Sequence, residues 1–462
     1  MNDEFSFNVG KISYIFSQIV NFFKNKRIIN SIYLFLLSII IIISSWIRLQ
    51  NLNLLKDSTT GEYIPTALDP FYFLRIAETV IEQWSLPAFD SMRYVPAKIG
   101  FTNEILPQVV ALMYKVANVF GEYSIQYINV ISPVIFFGIS LIFFFFLVYF
   151  LTNSKITALL SSFFLAIIPP YIYRTMAGFS DHESLGMMAF FSVMLVYTLG
   201  LRFLDKLEEQ DKHKKTLIKL SLFGIGVGFL SAFTIAGWGG VANFVFMIIP
   251  LSFFVLWVLK IKENENSDII KYLIFYSSWF FSSILTSYLF GYGIMNVINK
   301  FILSTSGLIS LFVLGFLFSE YILLKLIKKG NNFLKKYEKY RILFSMFSVI
   351  IIGAVLITLK GDNFFSLISD IISRIFDPFG ASRTGSTVSE NAEAYLINWF
   401  SQIGKMFFWL FYLGLIIIGA EISKGIEKNK HKFLFILVWI IFISGILFSR
   451  ISPNSIFNGT NL

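Results

Sequence analysis

The sequence predicts an all-α, polytopic membrane protein of about eleven transmembrane helices with long external loops, and three observations carry that expectation. Of 462 residues, 56% are hydrophobic and only 14% charged, with a mean hydropathy of +0.71. A soluble domain carries roughly 25% charge, so this chain lacks the polar surface for life in water. Apolar runs of about 17–25 residues, long enough to cross a bilayer, recur from end to end. The basic residues, finally, gather on one side of those runs.

The first run, 28–47, follows Lys24, Lys26 and Arg27 and ends at Trp46 and Arg48. No small-residue cleavage site follows it, so it reads as a retained span after a cytoplasmic N-terminus, 1–27, and not as a signal peptide. Further spans are expected at 127–151, 156–173, 185–201, 217–235, 240–259, 272–294, 301–327, 342–359, 400–420 and 433–449. A shorter run, 105–120, contains Pro107, Gln108, Lys115 and Asn118. As a helix it would measure about 24 Å, less than the hydrocarbon core, and it reads as an interfacial helix.

Charge tests this choice. With eleven spans, the cytoplasmic pieces hold 25 of the 38 Lys and Arg but only 12 of the 28 Asp and Glu, which leaves +13 inside and −3 elsewhere. Counting 105–120 as a crossing would put the Lys-rich blocks 202–219 and 325–341 outside, against the positive-inside rule. The net charge of +10 is thus a topology signal and not a nucleic-acid footprint, and 325–341 reads as a cytoplasmic linker beside anionic headgroups. Zero cysteines exclude disulfides, thiolate metal sites and cysteine nucleophiles. Three histidines leave almost nothing for imidazole metal sites, so metal chemistry is expected to use carboxylates. Glu320, near the inner end of its span, is expected to snorkel or to pair with Lys325.

The chain reads as one membrane domain, 28–450, with external loops 48–126 and 360–399 and a tail, 451–462. Three external places hold carboxylates at the membrane boundary. Asp69 lies in TALDPFYFLRIAET, where Pro70 biases it away from helix before a helix on the membrane surface. Asp181-His182-Glu183 lies in RTMAGFSDHESLG, where Ser180 or Asp181 caps the next span. Glu390 lies in SRTGSTVSENAEAYL. Each also has a structural reading: Asp before Pro is a common turn, Asp181 a helix cap, Glu390 a solvated loop residue. An Asp-x-Glu pair at a span mouth needs a cation or a proton to relieve repulsion, and oxygen ligands favour a hard cation such as Mg²⁺, Mn²⁺ or Ca²⁺.

Taken in order, ALDPFYFLRIAET after the first span, RTMAGFSDHE after the third, GWGG after the fifth and TVSE after the ninth resemble the catalytic subunit of archaeal-type oligosaccharyltransferases. The resemblance runs from residue 28 to about 450. It implies the membrane glycosyltransferase C-type architecture and transfer of a glycan from a polyprenyl (pyro)phosphate carrier to the Asn amide of Asn-x-Ser/Thr sequons. Asp69, Asp181 and Glu183 would then hold a divalent cation, Mn²⁺ or Mg²⁺. Asp69 and Glu390 would act on the acceptor amide, with Arg174 near the acceptor peptide. Arg450, Trp238 and His182 would meet the lipid phosphate, although Ile451 stands where the family has an aromatic. Each has a plainer reading too, with Arg174 and Trp238 as interface anchors.

The resemblance further implies lipid-linked oligosaccharide, acceptor polypeptide and membrane lipid as partners, no nucleic acid, and an active site on the external face of a cell membrane. The family continues into a soluble C-terminal domain with a Trp-Trp-Asp-Tyr-Gly motif. None of the eight Trp here sits in such a motif, so a separate C-terminal domain chain is an expected partner. The one sequon, Asn458-Gly459-Thr460, falls in the tail. The rival readings are another polyprenyl-phosphate-sugar glycosyltransferase, disfavoured by TVSE, and an inactive or carrier-binding paralog.

Overall fold

The computed structural model of the chain describes residues 26–424, apart from 84, 94, 102–103, 208–213, 263–268, 331 and most of 360–395. Glu390, Arg450 and the expected span 433–449 lie outside the described residues. The described architecture is helical. In chain order it comprises α1 (Lys26–Arg48), α2 (Leu68–Gln83), α3 (Leu106–Ala117), α4 (Ile125–Thr152), α5 (Lys155–Ile167) and α6 (Pro169–Tyr173). These are followed by α7 (His182–Lys206), α8 (Lys214–Gly237), α9 (Gly239–Lys262), α10 (Ile269–Leu289), α11 (Ile294–Ile298) and α12 (Thr305–Lys328). The last four are α13 (Asn332–Lys336), α14 (Arg341–Leu359), α15 (Leu396–Ile403) and α16 (Lys405–Lys424).

Seven of these, α1, α4, α7, α8, α9, α10 and α12, are single helices long and apolar enough to cross a membrane. Their boundaries follow from local chemistry. Ser124, Ser154 and Ser304 accept the backbone N–H of Tyr127, Thr157 and Gly307 and so cap α4, α5 and α12. The expected interfacial run 105–120 appears as α3, whose 12 residues amount to only about 18 Å. It packs with α2 through Phe73, Ala77, Leu106 and Val110.

Two expected spans are broken. Residues 156–173 form α5 and α6, with Ile168 extended at ψ 124° because Pro169 follows it. Residues 400–420 are split at Gly404, whose φ of +91° is a left-handed conformation suited to glycine, and the two helices meet at 98°. The expected span 342–359 is the 19-residue α14.

Lipid offers no hydrophobic drive for helix association, so close approach and polar contacts have to hold the bundle. The α8–α10 pair shows both. A Cβ on Gly224 would sit 2.5 Å from the carbonyl oxygen of Phe275, and one on Gly228 2.6 Å from that of Trp279. Trp279 Nε1 donates to Ser231 Oγ at 3.0 Å in the same seam, and Tyr276 OH reaches the carbonyl of Ser310 at 2.8 Å. Trp257, Trp279, Tyr276, Phe246, Phe253 and Phe275 fill the core between them.

Glu320 departs from expectation: it is fully buried and pairs with Arg341, not with Lys325. Arg341 Nε donates to Glu320 Oε2 at 2.9 Å, Trp257 Nε1 to the same oxygen at 3.1 Å, and Ser345 Oγ to Oε1 at 2.5 Å. Snorkelling loses here because α9 and α14 bring three donors to the carboxylate.

Candidate functional site

The site is built where α7 begins. Asp181, in extended conformation, is the N-cap of α7, and its Oδ1 accepts the His182 backbone N–H at 2.7 Å. The turn leading into it is pinned from several sides. Ala177 N–H donates to the Arg48 carbonyl, Gly178 N–H to Val130 and Ser180 Oγ to Asn129. Arg48 itself, 1% exposed, donates through Nε to Thr175 Oγ1 at 2.7 Å and through NH1 to the carbonyls of Ser44 and Ala166. Its guanidinium carbon lies 3.6 Å from the centre of the Phe137 ring. Arg48 thus ties the C-terminal end of α1 to the turn that delivers Asp181.

Asp181, His182 and Glu183 present donor atoms that all lie within 4.8 Å of one another. His182 Nδ1 stands 3.0 Å from Asp181 Oδ1 and 3.8 Å from Glu104 Oε2. Glu183 Oε1 accepts from Arg174 NH1 at 2.8 Å. Two buried oxygens around this point have no hydrogen-bond partner: Glu183 Oε2 and Glu104 Oε2. Buried polar atoms are rarely left so, and orphaned oxygens beside a buried carboxylate suit a hard cation. Burial alone would raise the Asp181 carboxyl. The imidazole and backbone N–H of His182, with the charge of Arg174, outweigh it and hold the group below the usual carboxylate range.

Glu104 was not among the expected residues. Ile105 N–H donates to the Ala236 carbonyl at 2.9 Å, which anchors the loop before α3 to the end of α8 and swings Glu104 towards His182. Burial pushes its carboxyl up, and the charges of Asp181 and Asp69 push in the same direction. Tyr292, whose phenol burial and the charge of Glu104 push up to about 12, completes this wall. The only sequence signal for Glu104 was an acid directly ahead of an apolar helix.

Asp69 is exposed in the first turn of α2, a helix that starts at Leu68. Pro70 therefore does not keep Asp69 out of the helix, because a proline in the first turn gives up an N–H that has no helical partner anyway. Asp69 is close enough to bias Glu104 but stands outside the three-residue donor group. Trp238 sits in the turn between α8 and α9 with its ring 5.6 Å from that of His182. Gly186 makes room for it, since a Cβ there would lie 2.5 Å from Trp238 Cβ. Arg174 is engaged with Glu183 and covers Phe179 at 4.9 Å.

The model of the family described as oligosaccharyl transferase STT3, N-terminal, matches residues 31–455. A curated relative, the dolichyl-phosphooligosaccharide-protein glycotransferase 2 of Archaeoglobus fulgidus, is 28% identical over 150 residues, which is 32% of this chain and 24% of that protein. The fold is similar to the crystal structure of the A. fulgidus oligosaccharyltransferase in the apo form, with TM-score 0.64 and 19% identity over 88% of this chain and 47% of that one. It is also similar to A. fulgidus AglB in complex with an inhibitory peptide and a dolichol-phosphate, with TM-score 0.61 and 18% identity over the same shares of the two chains. The chain thus spans about half the length of these solved relatives.

Proposed function

The chain belongs to the oligosaccharyl transferase STT3 family, as a multi-pass membrane protein covering its N-terminal part, and from that premise we propose that it carries the membrane machinery for glycan transfer to asparagine. The donor would be a glycan on a polyprenyl (pyro)phosphate, and the acceptor the amide of an Asn-x-Ser/Thr sequon. The observation that carries this reading is the half-buried Asp181-His182-Glu183 group with its orphaned oxygen, joined by Glu104, at one end of a helical bundle of this family.

A divalent cation, Mn²⁺ or Mg²⁺, fits the donor set of Asp181 and Glu183, with Asp69 and Glu104 on its rim. When bound, it would supply Lewis-acid neutralisation of the phosphate leaving group. An amide nitrogen is a poor nucleophile because its lone pair is delocalised into the carbonyl. Asp69 and Glu390, accepting its two N–H bonds, would twist the amide and localise that pair. Attack from the side opposite the leaving phosphate inverts the anomeric carbon. Trp238 and His182 would flank the phosphate, Arg450 would give it a bidentate donor, and Arg174 would meet the acceptor peptide. The site would face outside the cell, with the N-terminus cytoplasmic and a C-terminal domain chain as a further partner.

The test is transfer from a lipid-pyrophosphate donor to a sequon peptide in membranes holding the chain, with and without a soluble C-terminal domain of the family, alongside Mn²⁺ binding to the purified chain. Chelator and Asp181→Ala should each abolish transfer and Mn²⁺ binding, and Glu104→Gln should weaken Mn²⁺ by about ten- to hundredfold. Undiminished Mn²⁺ binding by Asp181→Ala would refute the metal assignment.

A further inference from the structure

Lys300 is a cation at the same end of the bundle that the chemistry above does not use. It lies in a π-helical turn, Asn299–Leu303, between α11 and α12. Such turns are uncommon and tend to mark functional places. Its backbone is fixed: Ser304 Oγ donates to the Lys300 carbonyl at 2.5 Å, and Phe301 beside it is buried against Phe246 and Phe280. Gly307 lets this turn press on the start of α12, because a Cβ there would lie 2.5 Å from the Lys300 carbonyl oxygen. From this anchor the half-buried side chain crosses to α9, where Nζ donates to Asn243 Oδ1 at 2.9 Å.

Asn243 is neutral, and no carboxylate of the described residues lies within ion-pairing distance of Nζ. An ammonium has three donors, and a half-buried one ordinarily has an anion for a neighbour. Burial accordingly holds Lys300 below its ordinary range. Its surroundings say which anion fits. Asn243 follows Trp238 by five residues, about 8 Å along the axis of α9, and Gly239 in between has open space beside it. On the other flank Ile294, Met295 and Leu303 expose apolar surface. A ligand spanning both would be anionic at the Trp238 end and apolar at the other.

We propose that Lys300, steered by Asn243, binds a phosphate oxygen of the polyprenyl carrier and fixes the carrier's headgroup between the Asp181 group and the lipid. This rests on the functional reading above. The test is binding of polyprenyl monophosphate, polyprenol and inorganic phosphate to the purified full chain in lipid nanodiscs. The wild type should prefer polyprenyl phosphate to polyprenol. Lys300→Met should lose about ten- to hundredfold in affinity for the phosphate lipid, the effect of one charged hydrogen bond, with polyprenol binding unchanged. Lys300→Arg should recover most of it. Asn243→Leu, which leaves the charge but not its guide, should lose less, and it serves if Lys300→Met folds poorly.

Wild-type affinity for polyprenyl phosphate in both Lys300→Met and Asn243→Leu would overturn the assignment. So would displacement of the lipid by inorganic phosphate at matching concentration, which would make the ligand free phosphate. A wild-type chain that binds polyprenol and its phosphate alike would overturn the functional reading as well.

Discussion

The carboxyls of Asp90 and Glu104 shift in opposite directions although burial pushes both up, and an arginine makes the difference. Arg75 grips both oxygens of Asp90, NH1 to Oδ1 at 2.9 Å and NH2 to Oδ2, while the Met92 N–H adds a third bond. Arg75 holds the Asp90 carboxyl below its ordinary value despite burial. A carboxyl lowered on folding stabilises the fold above its unfolded value, and that contribution disappears as pH falls through the folded one. Amide protection at Asp90, whose N–H bonds the Ile99 carbonyl at 2.8 Å, should therefore persist at pH 5 and begin to weaken only below about pH 4, the ordinary carboxyl value. Asp90→Asn should lose about tenfold or more of that protection even at pH 7, and hydrogen exchange with wild-type protection in this variant would contradict the argument. Glu104 has no such partner, and its raised carboxyl and orphaned oxygen mark it as part of the site. The Asp181 cap was legible because Ser-Asp-His-Glu stands ahead of an apolar run. Glu104 was not, since only the bond from Ile105 to Ala236, far apart in sequence, brings it to His182.

At the scale of elements, hydropathy located the seven spans that stand as single helices among the described residues, but not the breaks in others. A continuous apolar run hides Ile168 before Pro169 and the left-handed Gly404, because both are backbone events that leave composition unchanged. It likewise hides which helix answers Glu320. The carboxylate joins α12 to α14 through Arg341 and to α9 through Trp257. Breaking one side of a buried pair costs about 3–5 kcal/mol, because the remaining charge is stranded, whereas replacing both sides with apolar groups is often near neutral. Glu320→Leu and Arg341→Met should each lower the thermal unfolding temperature sharply in detergent, and the double variant should recover most of the loss. Additive losses in the double variant would show that the two side chains act independently. The clamp also sets where α14 starts.

Across the whole molecule, polar chemistry is divided between the two ends of the bundle. Arg48, Asp181, Trp238 and Lys300 share one end, tied together by the turn at 174–181 and by the start of α9. At the other, Lys155 meets Asn30, and Arg202 donates to Asn153 Oδ1 at 2.8 Å and to the Phe150 carbonyl. The +13 and −3 of the sequence would put this second end on the cytoplasmic side. The absence of native cysteines allows a direct test. A single cysteine at Lys98, exposed in the loop that precedes α3, should react with a membrane-impermeant maleimide added to intact cells. One at Lys336, exposed at the end of α13, should react only after permeabilisation. Two crossings more or fewer before α13 would leave this pattern unchanged, but one more or fewer reverses it for Lys336 alone. Labelling of both positions from outside would therefore mean that α3, or the broken α5–α6 pair, counts differently from its present reading. Protection of Lys98 together with exposure of Lys336 would instead invert the whole chain and place the Asp181 group on the cytoplasmic face.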